Sequence, residues 1–138
     1  MPVADRSLWR VIDYLDGKAR HFLMEGLSDE RGTLVPIAFD ALGFTPVHAF
    51  LVNGKDGAVR GGHAHRSGRQ LLLRISGTID VAMSLGGDRA SATLDANNNA
   101  LLITAPVWSS QTYRGEQPSI LVLSDTLFDP ANYLREAQ

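Results

Sequence analysis

His63 and His65 flank Ala64, and two imidazoles at this spacing are the feature of the sequence best suited to chemistry. Side chains alternate faces along an extended backbone, so both rings point to one side and form a single site. Imidazole titrates near neutrality, which suits the pair to moving protons or to holding a metal. Gln70 follows five residues after His65, and a turn at Arg66-Ser67-Gly68 would return the chain and bring its amide to the same pocket. Arg60 lies just ahead of the pair; with Gln70 it could donate hydrogen bonds to a hydroxyl or to an oxygen that gains charge. A stable divalent metal site needs at least three good ligands, and the pair supplies two. No histidine follows His65, and the segment 102–111 around Pro106 offers only Ser109 and Gln111. The residues therefore favour a pocket with no metal and no other cofactor. His21 and His48 each stand alone in an apolar run, the usual setting of a core or interface histidine. His48 stays a candidate because it shares a strand face with Phe50, two residues on.

The elements that must position these groups read as short apolar runs separated by Gly, Asn, Asp and Pro, at the roughly 8–12-residue spacing of an all-β sandwich or barrel. The expected strands are residues 21–27, 33–39, 47–53, 69–76, 78–85, 90–95, 100–104 and 119–124. Turn chemistry at 54–57, 86–88 and 97–99 supports the breaks. Residues 130–136 read as a short C-terminal helix, with Asp129 as N-cap, Pro130 at its first position, and Tyr133 and Leu134 packed down. Residues 8–15 fit a helical turn or an edge strand equally well.

The chain has 138 residues, 44% of them hydrophobic, which is enough for one core and too little for two domains, so residues 1–138 are read as one domain. Unbroken apolar runs such as 71–73 and 100–103 are far too short to cross a bilayer, and the N-terminal residues lack the apolar stretch of a secretory signal. The expectation is a cytoplasmic protein with no membrane partner. A formal charge of −2 gives no electrostatic case for nucleic acid, and the absence of cysteine removes thiolate chemistry and disulfides. A small ligand remains.

Gly57, five residues, His63-x-His65, four residues, Gln70, six residues and Gly77 resembles the first motif of the cupin superfamily, with Gln where many metal-binding cupins have Glu. Four blocks in order, spanning about residues 29–135, resemble the nucleotide-sugar 3,4-ketoisomerases of that superfamily. They are Asp29-Glu30-Arg31-Gly32-x-Leu34, then Arg60-Gly61-Gly62-His63-Ala64-His65-Arg66 with Gln70, then Pro106-Val107-Trp108, and last the tail from Leu123-Ser124-Asp125 through Phe128-Asp129 to Tyr133-Leu134-Arg135. The resemblance implies a double-stranded β-helix, or jelly-roll barrel, that is a homodimer without metal. It implies catalysis by His63 and His65, which move protons between C3 and C4 of a dTDP-4-keto-6-deoxy sugar. His65 is taken as the acid/base and His63 as its partner or as a hydrogen-bond donor to the sugar oxygen, an order that strand alternation leaves exchangeable. Arg60, Gln70, His48, Trp108 and Ser109 are the substrate-binding candidates, and Arg31 would meet the diphosphate. The chain has Phe50 where the family, as aligned, carries Tyr, and Ser109 where it carries His after the Trp. Neither Phe nor Ser can relay a proton near neutral pH. A sugar-nucleotide-binding cupin without catalysis is therefore the alternative reading, and a metal-dependent cupin enzyme the third.

Overall fold

Two antiparallel strands of 17 residues, β7 (Arg69–Leu85) and β10 (Trp108–Ser124), form the spine of the protein. The structure is a computed structural model and describes residues 11–135. Ahead of the spine come β1 (Ile12–Tyr14), β2 (Ala19–Phe22), β3 (Leu27–Asp29), β4 (Gly32–Leu34), α1 (Phe39–Leu42), β5 (His48–Asn53) and β6 (Val59–His65). Between and after the long strands come β8 (Asp88–Leu94), β9 (Ala100–Thr104) and β11 (Tyr133–Leu134). One antiparallel sheet runs in the order β1-β2-β9-β7-β10-β6-β11, with β5 also paired to β10 and β8 to β7; β3 and β4 form a separate hairpin. The expected all-β barrel is therefore present, built from more and longer strands than the apolar runs suggest.

The long strands bend rather than break. Gly77 has φ +71, and a Cβ there would lie 2.6 Å from the Cβ of Pro118, so only glycine lets β7 turn the corner against β10. The two stretches expected as separate strands, 69–76 and 78–85, are thus one. The ladder shifts register between Arg114 and Ser119 at the same corner, which switches the buried face of both strands. Before the corner Leu72 joins the inner core, and after it Ile79, Val81 and Met83 do; on β10 the inner set is Tyr113, then Ile120 and Val122. Phe22, Met24, Leu71, Leu73 and Leu102 form a second core on the outer face, closed by Phe44 and the side chains of α1.

Other expectations are revised. Residues 33–39 hold a strand only as far as Leu34, and Phe39 begins a helical turn that ends at Gly43. The run 21–27 is divided between β2 and β3. The C-terminal helix is instead one 3₁₀ turn, Pro130–Asn132, capped as expected by the Asp129 carboxylate, which accepts from the Ala131 amide at 3.0 Å. It stops there because Tyr133 and Leu134 pair with His65 and Ala64 of β6, and a strand partner replaces the next helical turn. Residues 136–138 lie outside the described part, as does the start of 8–15, whose remainder holds the edge strand β1.

Candidate active site

Strand β6 carries the histidine pair, and its local sequence is unusual for a strand. Gly61 and Gly62 have φ +82 and +79, conformations that glycine adopts without the clash a Cβ would meet. Against β10, Arg60 pairs with Gln111 and Gly61 with Ser110, but His63 pairs with Ser109, so Gly62 is an extra residue and the strand bulges there. Beyond the bulge β6 is regular: Ala64 is buried, and His63 and His65 project together with ring centroids 5.3 Å apart at 79°.

The pair is held by its neighbours. Tyr133 lies 4.9 Å from the His63 ring and 4.7 Å from the His65 ring. The turn after His65 brings Gln70 back as expected, and its amide nitrogen is 3.2 Å from His65 Nε2. With the amide donating, Nε2 accepts and the neutral ring carries its proton on Nδ1. Burial lowers the pKa of both rings. His65 falls to about 4, burial acting first and the nearby His63 second, while for His63 a hydrogen bond to the Gly61 backbone opposes the effect of burial. Both imidazoles are therefore neutral at pH 7 and able to accept a proton.

Two cavities meet at His63. The inner one, about 100 Å³, is lined by Phe50, Arg60, His63, Gln70, Gln111 and Tyr113 among others. The outer one, about 430 Å³, is lined by Gly61, Gly62, His63, Tyr133 and Arg135. Only His63 of the pair lines them, with His65 held against Gln70 and Tyr133. Arg60, His63, His65 and Gln70 are thus brought together. His48 stands beside Phe50 with rings 5.5 Å apart and its Nδ1 buried without a partner, next to the inner cavity rather than in its wall. Ser109 is directly opposite His63 across the ladder. Trp108, on the other face of β10, lines neither cavity. Arg31 lines neither cavity: it lies in the β3–β4 hairpin, 85% exposed and ion-paired to Asp29 at 2.6 Å. Arg135 is the cation at the outer cavity instead.

Sequence reading left Gln111, Tyr113, Tyr133 and Arg135 out of the site. The first two were within reach, since alternation from Ser109 along a strand puts 109, 111 and 113 on one face. Tyr133 and Arg135 become neighbours of the pair only through the pairing of β11 with β6. Among the described residues no cluster of three metal-ligating side chains occurs.

The family model described as FdtA: WxcM-like, C-terminal, matches residues 18–138. No curated protein matches at the sequence level. The structure is similar to that of a mutant of the 3,4-ketoisomerase QdtA from Thermoanaerobacterium thermosaccharolyticum in complex with TDP-4-keto-6-deoxyglucose, with TM-score 0.79 and 21% identity over 86% of this chain and 88% of that one. It is also similar to the WlaRB TDP-quinovose 3,4-ketoisomerase from Campylobacter jejuni, with TM-score 0.77 and 23% identity over 86% and 92%. NovW, a 4-keto-6-deoxy sugar epimerase from Streptomyces spheroides, gives TM-score 0.78 and 19% identity over 96% and 75%. At these identities the likeness is one of fold.

Proposed function

The chain belongs to the FdtA, WxcM-like C-terminal family, and on that premise we propose that it isomerises a nucleotide-linked 4-keto-6-deoxy sugar, moving the ketone between C4 and C3. The observation that carries this reading is the adjoining pair of imidazoles, of which His63 stands at the junction of two cavities, one of them open to an arginine and two amides. The reaction exchanges two protons and changes no other atom. His63 removes the proton on C3, the electron pair left behind forms the C3–C4 double bond, and the C4 oxygen takes up a proton to complete an enediol. A proton is then delivered to C4 while the C3 hydroxyl loses its own and becomes the ketone. His65, its ring fixed by Gln70, packs edge-on against His63 and orients it. Arg60 and Gln111 donate hydrogen bonds to the sugar oxygens as charge develops. The diphosphate is met by Arg135 in the outer cavity.

The solved structures of similar fold support this substrate class, since two are ketoisomerases of TDP-linked sugars and a third is an epimerase of a 4-keto-6-deoxy sugar. A homodimer is part of the proposal, supported by the β3–β4 hairpin, which exposes Leu27 and Leu34 at 60% each, and by the outer edge of β5, which is unpaired among the described residues. A nucleoside-diphosphate substrate points to the cytoplasm and to deoxysugar and polysaccharide biosynthesis. No described helix is long and apolar enough to cross a membrane.

Incubation with TDP-4-keto-6-deoxyglucose in deuterated water tests the reaction. Deuterium is expected at C3 of the substrate and C4 of the product. Phe50 in the cavity wall and Ser109 opposite His63 favour a second reading, a binding protein without turnover, because neither residue moves a proton. Tight binding of the keto sugar with no deuterium incorporation would establish that reading in place of the first.

A further inference from the structure

Tyr113 is completely buried, with 0% of its surface exposed, and its hydroxyl has no hydrogen-bond partner among the described residues. A buried tyrosine normally finds one, and an unsatisfied hydroxyl lowers stability. The fold makes room for this ring at some expense of sequence freedom: a Cβ on Gly54 would lie 2.7 Å from the Tyr113 Cβ, so position 54 tolerates no side chain. Tyr113 also lines the inner cavity, and the Arg60 guanidinium is close enough to its hydroxyl to oppose the upward shift that burial imposes on it. Among the described residues the side chains of Arg60 and Gln111 make no hydrogen bond or ion pair either. Three residues with polar side chains that line one cavity thus leave their hydrogen bonds unmade among the described residues. The phenol stays protonated at neutral pH and is a donor.

We propose that Tyr113 contacts the substrate, its hydroxyl donating a hydrogen bond to a C3 or C4 oxygen of the bound keto sugar at the innermost end of the cavity. This deepens the isomerase reading and rests on it for the identity of the ligand. The bond exists with the ketone and strengthens when the proton leaves carbon and that oxygen gains charge, so both binding and turnover depend on it.

The test is Tyr113→Phe, which keeps the ring and removes the oxygen. Affinity for TDP-4-keto-6-deoxyglucose is expected to fall about fivefold and deuterium incorporation about 10²-fold. Affinity for TDP, which lacks the sugar, is expected to be unchanged, and the Tm equal or higher, since no bond within the chain is lost. Undiminished binding of the keto sugar overturns the proposal. So does an equal loss of TDP and keto-sugar affinity with a lowered Tm, which would assign the hydroxyl to the fold. If the wild-type protein incorporates no deuterium the isomerase reading fails, while the two affinities still decide the contact.

Discussion

Arg60 and His63 stand three residues apart on β6 and line the same cavity, although an odd spacing in a regular strand sends side chains to opposite faces. The bulge at Gly62 is what reconciles them, because two steps on β10, from Gln111 to Ser109, are matched by three on β6. The glycines of this stretch therefore set which side chains line the cavity.

Gly62→Ala tests that role with little steric interference, since the nearest atom to the new Cβ is Trp108 Cζ2 at 3.9 Å. The backbone there has φ +79, so the substitution should cost about 1–2 kcal/mol of stability by strain alone. Turnover should fall further than this loss of folded protein accounts for, as Arg60 and His63 lose their alignment. Urea unfolding with deuterium incorporation measures both, and a stable variant with wild-type turnover would show the bulge to be incidental.

The histidine pair gives the sharpest functional expectation. His63→Asn keeps a polar side chain but removes the proton acceptor, and deuterium incorporation should fall by about 10²–10⁴-fold. His65→Asn should fall less, because His65 acts through His63. TDP affinity should survive in both. Full incorporation in the two variants would falsify the proton-transfer mechanism.

Stability should carry the imprint of the buried rings. His65 titrates at about 4 in the folded protein against an ordinary 6.5, so between those values the unfolded chain binds a proton that the folded chain refuses. Stability is full above about 6.5 and declines as the pH drops toward 4, with His63, also lowered by burial, contributing in the same direction. Unfolding by urea at about pH 7 and pH 5 should show a smaller acid loss for His65→Asn than for wild type. Equal losses would mean that the ring is not desolvated as described.

The exposed hairpin makes a prediction about assembly. A two-stranded ribbon of three-residue strands is marginal by itself, and Leu27, Leu34 and the β5 residue Leu51 are at least 60% exposed. Light scattering at micromolar concentration should give the mass of a dimer, and Leu27→Lys with Leu34→Lys should shift the population toward monomer. A wild-type protein that is monomeric at that concentration rules the assembly out.

Much of the protein was legible in its sequence because the informative signals are local. Alternation over His63-Ala64-His65 puts both rings on one side, the turn after His65 returns Gln70, and Asp129 with Pro130 marks the start of a helical turn. The all-β architecture followed from apolar runs and turn residues in the same way, and the order of blocks along the chain pointed to the family. What local pattern could not supply depends on partners distant in sequence. Gly77 looks like a strand end until β10 bends with it, and residues 130–136 look helical until β6 captures Tyr133 and Leu134. The bulge at Gly62 exists only relative to β10, so the shared face of Arg60 and His63 was invisible beforehand. Arg31 and Arg135 show the same limit for charge: each is an exposed arginine in a polar segment, and only the path of the chain through space brings Arg135 to the cavity and leaves Arg31 on a hairpin.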